Sequence, residues 1–266
     1  MSEHAPRARR DPTRWTPEEH KQYYDENVAD NDTFFARFGA EPEWRGKAVL
    51  DFGCGYGAMS ARAAEGGAAR VVGLDINSDQ IRRAREFVKS EGIVFYDTDV
   101  ANVDDSFDLI LTKDTFEHVD DIDLILRLLT DRLAADGEIW AGFSPLYNSP
   151  WGDHGRLNLP RVPWLHTLPW PLVGRLANRP DRPDLRSIKD VGMNGLTPQG
   201  FRRAVRAAGL HFASVQYNAG DQALLRLLEA LRRIPPLEKY ATVSIYAVLR
   251  RQPDELMRLG GSEADA

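Results

Sequence analysis

The chain has 266 residues, of which 42% are hydrophobic, and its 34 basic and 40 acidic side chains give a formal net charge of −6. This composition is typical of a globular protein, it excludes intrinsic disorder over most of the length, and the negative charge argues against a nucleic-acid partner. Because Cys54 is the one cysteine, an intrachain disulfide and a cysteine-type metal site are excluded, and a cytoplasmic location is expected.

The two ends of the chain are predicted to be disordered. Residues 1–14 carry four arginines but no apolar stretch of the kind that a secretory signal needs, and residues 252–266 lack a face that could pack. No run of about 18 uncharged apolar residues occurs, so no transmembrane segment is expected. Residues 15–251 are therefore predicted to form one domain.

Short apolar runs alternate with amphipathic runs between residues 47 and 143, a pattern typical of parallel strands joined by crossover helices in an α/β fold. Each apolar run ends in glycine or polar residues, and open α/β sheets bind ligands at this carboxyl edge. The predicted strands are 48–52, 70–74, 93–96, 107–111 and 138–143, with helices at 79–89 and 121–133 among the connections. Downstream, a helix at 197–208, a strand at 211–217, a helix at 222–232 and a last strand at 241–249 complete the domain.

Residues 145–195 depart from this alternation of strand and helix patterns. They contain eight of the 16 prolines and three of the six tryptophans, which indicates an insertion rather than part of the sheet. A long irregular segment that leaves from the carboxyl end of a strand is typical of a lid. We therefore predict that this segment is a substrate cap.

The first predicted strand runs from Asp51 into a glycine turn containing Gly53, Gly55 and Gly57. Glycine lets the backbone approach a ligand closely. The second strand ends at Asp75, whose carboxylate can accept hydrogen bonds from the hydroxyls of a ribose. Together these features predict a site for an adenosine-containing ligand, although the glycines alone also fit an NAD(P)-dependent oxidoreductase.

The acid before the glycines and the phrase at residues 112–119, which ends in Glu-His-Val, resemble the class I S-adenosylmethionine-dependent methyltransferases. The resemblance covers residues 47–143 closely and the later elements in order. It implies a Rossmann-like, doubly wound sheet of seven strands with the last strand antiparallel, and S-adenosyl-L-methionine as the cofactor. It also implies cofactor-binding roles for Asp51, Gly53, Gly55, Gly57, Asp75, Ile76, Asp99, Val100 and Thr112.

Two histidines follow the fourth and fifth predicted strands and are candidates for a general base. A hydroxyl acceptor gains from such a base because its pKa lies far above 7, whereas a nitrogen nucleophile needs little more than alignment. His154 is the preferred base, His118 is the alternative, and Asp153 is a candidate to orient the ring. The sequence thus favours O-methylation, while N-methylation and a noncatalytic cofactor-binding module remain open.

A looser resemblance to methyltransferases of sugars and other hydroxylated acceptors suggests a small-molecule, glycan or glycolipid acceptor. Its predicted contacts are Tyr147, Trp151 and Asn194 in the cap, with Tyr23 in an amphipathic N-terminal helix. The apolar run 162–177 fits either a lid or peripheral contact with a membrane. No metal is predicted, and the sequence leaves the acceptor and the choice between monomer and homo-oligomer open.

Overall fold

The computed structural model describes residues 12–177, 185–220 and 222–253. Seven strands form one sheet in the order β3-β2-β1-β4-β5-β7-β6, in which β1 to β5 are parallel and β7 is antiparallel to both neighbours. The predicted Rossmann-like sheet with an antiparallel last strand is thus confirmed. The strands are β1 Ala48–Phe52, β2 Arg70–Leu74, β3 Ile93–Tyr96, β4 Phe107–Lys113, β5 Leu133–Phe143, β6 Leu210–Tyr217 and β7 Ile245–Arg251.

The longer helices begin at polar residues that cap them. The side chains of Thr16, Asn77, Asp121 and Thr197 each accept a hydrogen bond from a backbone N–H of the first turn that follows, which satisfies donors that the helix itself leaves unpaired. The helices are α1 Pro17–Ala36, α2 Ala58–Glu65, α3 Ser78–Phe87, α4 Ile122–Asp131, α5 Trp170–Leu176, α6 Pro198–Ala207, α7 Ala223–Arg232 and α8 Glu238–Ala241.

Alternate residues of the central strands point to opposite faces of the sheet, and each face has its own apolar core. Val49 and the residues at matching positions of the neighbouring strands pack with Phe34 of α1 and Met59 of α2. The next residue, Leu50, belongs to the other core, with Leu126 of α4 and residues of α6. Burial on both faces explains why these strands read as continuous apolar runs.

Two predicted strand boundaries were wrong because of contacts between distant segments. The last strand begins at Ile245 rather than at 241, because Ala241 belongs to helix α8 and the Val243 N–H donates to the Asn218 side chain at 2.7 Å instead of to a neighbouring strand. β5 begins at Leu133 rather than at 138, because Leu133 already pairs with Phe107 of β4 before the register shifts.

Residues 145–195 leave from β5 and have a small apolar core of their own. This cap carries helix α5, on which Val173 is buried while Leu172 and Leu176 are exposed. The residues of the cap core are Tyr147, Leu157, Val173, Val191 and Met193.

The predicted disorder of the two ends falls mostly outside the described residues, at 1–11 and 254–266. Within the described part, Pro12–Arg14 forms one 3-10 turn, and the Trp15 N–H donates to the Pro12 carbonyl. Gln252 likewise donates from its backbone to the Gly209 carbonyl at 2.9 Å. Among the described helices, none is both long and apolar enough to cross a membrane.

Candidate active site

The loop between β1 and α2 is made of glycines in a backbone conformation that other residues rarely adopt. Gly53, Gly55 and Gly57 have φ values of 75°, 54° and 80°. A Cβ on Gly53 would lie 2.3 Å from Thr115 Oγ1, and one on Gly57 would lie 2.7 Å from the Phe95 ring. The loop therefore requires glycine for both φ and space, and it leads directly into the N-terminus of α2, where backbone N–H groups favour negative ligand groups.

Asp51, near the end of β1, is buried beneath this loop with 2% exposure. Its Oδ2 accepts a hydrogen bond of 2.6 Å from the Ser60 hydroxyl of α2. Burial raises the pKa of Asp51 to about 6, and the nearby charge of Asp75 acts in the same direction. The carboxylate thus lies ready to gain from any cationic group bound at this edge.

Asp75 joins the loops that follow β1 and β2. Its Oδ2 accepts from the Gly55 N–H at 3.1 Å, and its Oδ1 accepts from the Asn77 N–H at 2.8 Å. Burial raises its pKa, and these two hydrogen bonds oppose that rise. Each carboxylate oxygen of Asp75 keeps a further lone pair. The adjacent Ile76 leaves 82% of its surface exposed. Asp75 and Ile76 together therefore offer hydrogen-bond acceptors beside an exposed apolar surface.

The other predicted cofactor contacts lie in different surroundings. Asp99 accepts from the Ala101 N–H at 2.8 Å and so caps a 3-10 turn. Val100 is fully buried in the core beside α4, so its side chain belongs to that core rather than to an open surface. The hydroxyl of Thr112 is buried, and no hydrogen-bond partner for it exists within the described residues.

The residues at the ends of β1 and β2 fit an adenosyl group that carries positive charge. Neither Asp51 nor Asp75 forms an ion pair with any described residue, although both carboxylates are largely enclosed. Such a ligand requires acceptors for its ribose hydroxyls, an exposed apolar side chain for its purine and carboxylates that have no ion-pair partner.

Helix α1 crosses this loop and is fastened to it by buried polar contacts. His20 Nδ1 lies 2.7 Å from the Tyr56 hydroxyl, and Asn31 Nδ2 donates to the Ala58 carbonyl at 3.0 Å. The ring of Tyr23 packs edge-on against Tyr56, with ring centroids 5.0 Å apart. The predicted ligand contact of Tyr23 thus lies next to the glycine loop, while the roles of His20 and Tyr56 were not predicted.

Two acids follow β4 at the same edge of the sheet. Asp114 has an exposed surface, yet surrounding protein desolvates its carboxylate and raises its pKa to about 6, while the Ser144 N–H donates to it at 3.2 Å. Glu117 is only 1% exposed, and neither of its carboxylate oxygens accepts a hydrogen bond from a described residue. Burial, reinforced by the charge of Asp114, raises the pKa of Glu117 well above its ordinary value.

The two predicted histidines lie side by side, with ring centroids 5.3 Å apart. His118 Nδ1 is 2.6 Å from the Gly192 carbonyl, and His154 Nε2 is 2.8 Å from the Pro145 carbonyl. A carbonyl only accepts, so each neutral ring donates from that nitrogen and carries its lone pair on the other. Arg156 Nη2 lies 3.3 Å from His118 Nε2. The fold thus brings together His118 and His154, which are 36 positions apart in the sequence.

Three other predicted residues of the cap have contacts of their own. Asp153 is buried and accepts from the Leu157 N–H at 3.4 Å within its own turn. Tyr147 is buried in the cap core and donates to the His166 carbonyl at 2.9 Å, and burial raises its pKa to about 12. Trp151 is 45% exposed.

Asn194 ties the cap to the segment that follows β4. Its amide nitrogen donates to the carbonyls of Phe116 at 2.6 Å and Val119 at 2.8 Å, and its amide oxygen accepts from the Leu196 N–H at 2.8 Å. These contacts use both amide hydrogens. In this structure Asn194 therefore fastens backbone segments, whereas the sequence predicted a contact with the acceptor.

Glu117, Asp114 and Arg156 were not predicted as site residues. The signal for the two acids was present, because both stand in the same phrase as His118 directly after a buried strand. Arg156 carries no comparable signal, since a single arginine in a proline-rich segment is indistinguishable from a surface residue.

Residues 44–142 match a protein-family model described as a methyltransferase domain. The ubiquinone biosynthesis O-methyltransferase of Mesorhizobium japonicum is 37% identical over 105 residues, which cover 36% of this chain and 41% of that protein. The norajmaline N-methyltransferase of Rauvolfia serpentina is 31% identical over 110 residues, which cover 39% and 37%. The match thus spans less than half the length of either curated relative.

Among solved structures, an S-adenosylmethionine-dependent methyltransferase of Mesorhizobium loti matches with a TM-score of 0.57 and 22% identity, covering 84% of this chain and 98% of that one. The PH0226 protein of Pyrococcus horikoshii matches with a TM-score of 0.55 and 17% identity, covering 91% and 96%. At these identities the structures establish the fold. The family model adds that residues 44–142, which carry β1 to most of β5, are similar to a methyltransferase domain.

Proposed function

We propose that this protein transfers a methyl group from S-adenosyl-L-methionine to a hydroxyl oxygen of a small-molecule or glycan-like acceptor beneath the cap. The observation that carries the proposal is the placement of two sets of residues at one edge of the sheet. The glycine loop and Asp75 follow β1 and β2, while acids and histidines follow β4 and β5.

In this proposal the glycine loop and the carboxylates of Asp51 and Asp75 hold the cofactor, and Ile76 covers its adenine. When bound, S-adenosyl-L-methionine supplies a methyl group activated by a sulfonium. The protein then has to align the acceptor with that methyl group and exclude water. The cap and helix α1 are suited to the second task, because both are fastened over the carboxyl edge by hydrogen bonds.

A hydroxyl acceptor also has to lose its proton, and a histidine at this edge can take it. Because His154 donates from Nε2 to the Pro145 carbonyl, its lone pair lies on Nδ1. His154 is therefore the proposed base, and His118, whose ring lies beside it, is the alternative.

N-methylation is the second candidate, since relatives of both kinds match the same core. The histidines favour oxygen, because an amine that is neutral needs no base to attack. An oxidoreductase or a noncatalytic cofactor-binding module would share the glycine loop, but neither accounts for the acids and histidines gathered beside the cap.

Calorimetric titration with S-adenosylhomocysteine, alongside NADH under identical conditions, tests the cofactor without knowledge of the acceptor. We expect micromolar binding of the first and none of the second. Binding of NADH alone would overturn the proposal in favour of an oxidoreductase.

Transfer of a labelled methyl group to a panel of phenols, sugars and amines then tests the reaction. We expect hydroxylated compounds to be labelled and His154→Ala to slow turnover while S-adenosylhomocysteine affinity is unchanged. Labelling of amines alone, at a rate that His154→Ala leaves intact, would favour the N-methyltransferase.

A further inference from the structure

Three side chains at the carboxyl edge of the sheet could coordinate a metal ion together. Glu117, His118 and His154 each offer one ligand atom, and these atoms lie within 4.8 Å of one another. Two ligands come from the segment after β4 and one from the cap. The cluster is distinct from the glycine loop and Asp75, to which the cofactor is assigned.

Backbone carbonyls fix the orientation of both rings. His118 donates from Nδ1 to the Gly192 carbonyl, and His154 donates from Nε2 to the Pro145 carbonyl. When the rings are neutral, the remaining nitrogen of each carries the lone pair. Histidines that bind metals use this arrangement, in which the far N–H donates to a carbonyl or carboxylate and sets the tautomer.

The carboxylate of Glu117 supplies a second, independent observation. It is almost fully buried, and neither oxygen accepts a hydrogen bond from a described residue. An ionised carboxylate in such a position is costly unless a cation or donors compensate for its lost hydration. A metal ion between Glu117 and the two rings would provide that compensation.

We propose that Glu117, His118 and His154 form a binding site for one divalent transition-metal cation of the Zn²⁺ class. Two imidazole nitrogens and one carboxylate oxygen are a donor set that suits Zn²⁺ and leaves a fourth position open. Mg²⁺ and Ca²⁺ prefer all-oxygen ligands and are poorer candidates.

Arg156 competes with the cation for this site. Its Nη2 lies 3.3 Å from His118 Nε2, while its Nη1 donates to the Val191 carbonyl at 2.7 Å. The guanidinium is therefore placed at the same lone pair that the metal needs, and it adds a repulsive positive charge. Removing that charge in Arg156→Met is expected to tighten metal binding.

This site does not depend on the proposed methyl transfer. The metal site does constrain the proposed methyl transfer, because the lone pair of His154 cannot bind a metal and accept a proton at the same time. Metal binding is therefore measured on its own, without reference to turnover.

The test uses the untagged full chain, stripped with a chelator, dialysed, and titrated with Zn²⁺ in the presence of a competing chromophoric chelator. We expect one Zn²⁺ per chain, with affinity lowered more than about tenfold in Glu117→Gln and in His154→Gln and raised in Arg156→Met. Replacement by Co²⁺ should give the visible absorption of a low-coordinate nitrogen and oxygen site in the wild type, and none in Glu117→Gln.

The matched control is His211→Gln. His211 lies on β6, paired with Arg250 at the opposite edge of the sheet from the cluster. This variant should bind Zn²⁺ as the wild type does. Binding of S-adenosylhomocysteine by every variant verifies that each is folded. No binding by the wild type, or binding that Glu117→Gln and His154→Gln leave unchanged, would overturn the proposal.

Discussion

At the scale of single residues, Asp75 joins two loops of the proposed cofactor site through hydrogen bonds from their backbones. By accepting from the Gly55 and Asn77 backbones it holds the glycine loop of β1 against the loop of β2. The sequence predicted Asp75 from its position at the end of a strand. The hydrogen bond to Gly55 was not predictable, because it depends on how the two loops meet.

We expect Asp75→Ala to weaken S-adenosylhomocysteine binding more than about tenfold, because hydrogen bonds to a charged carboxylate contribute about 1.5–3 kcal/mol. Calorimetric titration measures the change. Asp97→Ala is the matched control, since Asp97 is an exposed acid just after β3, and its affinity should stay at the wild-type value. Equal affinities in the two variants would contradict the role of Asp75.

The second prediction concerns Asp51 and pH. Its pKa of about 6 lies above the ordinary value of 3.8 because of burial. The folded protein therefore holds this proton more tightly than the unfolded chain, and stability falls as the pH rises from about 4 through about 6. The full effect corresponds to at most about 3 kcal/mol.

Asp51→Asn removes that ionisation while leaving an oxygen to accept from Ser60. We expect the variant and the wild type to be similarly stable near pH 4, and the variant to be more stable at pH 7.5 in the absence of cofactor. Urea unfolding at both pH values measures the difference. A variant that loses stability equally at both values would show that the carboxylate is not strained by burial.

At the scale of elements, a buried amide is one of the contacts that attach helix α1 to the glycine loop and the start of α2. Asn31 donates to the Ala58 carbonyl in the first turn of α2, whereas Asn27, one turn earlier, donates only within α1 to the Tyr23 carbonyl. Sequence periodicity predicted an N-terminal helix but not this contact, which links residues 27 positions apart.

Asn31→Ala is expected to destabilise the fold by about 1–3 kcal/mol, because it leaves a buried carbonyl without its donor. It should also weaken S-adenosylhomocysteine binding, since α1 then holds the loop less firmly. Urea unfolding and calorimetry measure the two effects. Asn27→Ala serves as the control and should change both quantities much less.

The attachment of the cap gives a fourth prediction. Because the Asn194 amide joins the cap to the backbone after β4, Asn194→Ala should lower the free energy of unfolding by about 2 kcal/mol or more. Cofactor affinity should hardly change, since none of these hydrogen bonds reaches the glycine loop. Full stability in Asn194→Ala would instead favour the contact with the acceptor that the sequence predicts.

At the scale of the whole molecule, the net charge decides which charged partners the protein attracts in solution. With a net charge of −6, we expect no retardation of duplex DNA in a gel-shift experiment at physiological salt, because phosphate binding requires clustered positive charge. Retardation that weakens steeply with added salt would contradict this expectation.

The sheet as a whole was predictable because the sequence patterns that indicate its strands and loops are local. Continuous apolar runs mark strands that helices cover on both faces, and glycines with positive φ mark the loop after β1. These signals depend on a few neighbouring residues, so they are readable without knowledge of distant contacts. The fold class followed from them.

The boundaries and the chemistry at the cap depended on contacts between distant segments. The early start of β5 at Leu133 is decided by pairing with Phe107, and α8 is held by the ion pair between Arg202 and Glu238. Neither partner is visible within a local window of sequence.

The sequence by itself determined a Rossmann-like sheet with a glycine loop after β1, because glycine geometry and apolar burial are properties of short segments. Only the tertiary structure brought Glu117 and His118 against His154 and placed Arg156 Nη2 3.3 Å from His118 Nε2. That difference arises because burial and hydrogen bonding of these residues depend on the path of the chain across the sheet, which no local pattern encodes.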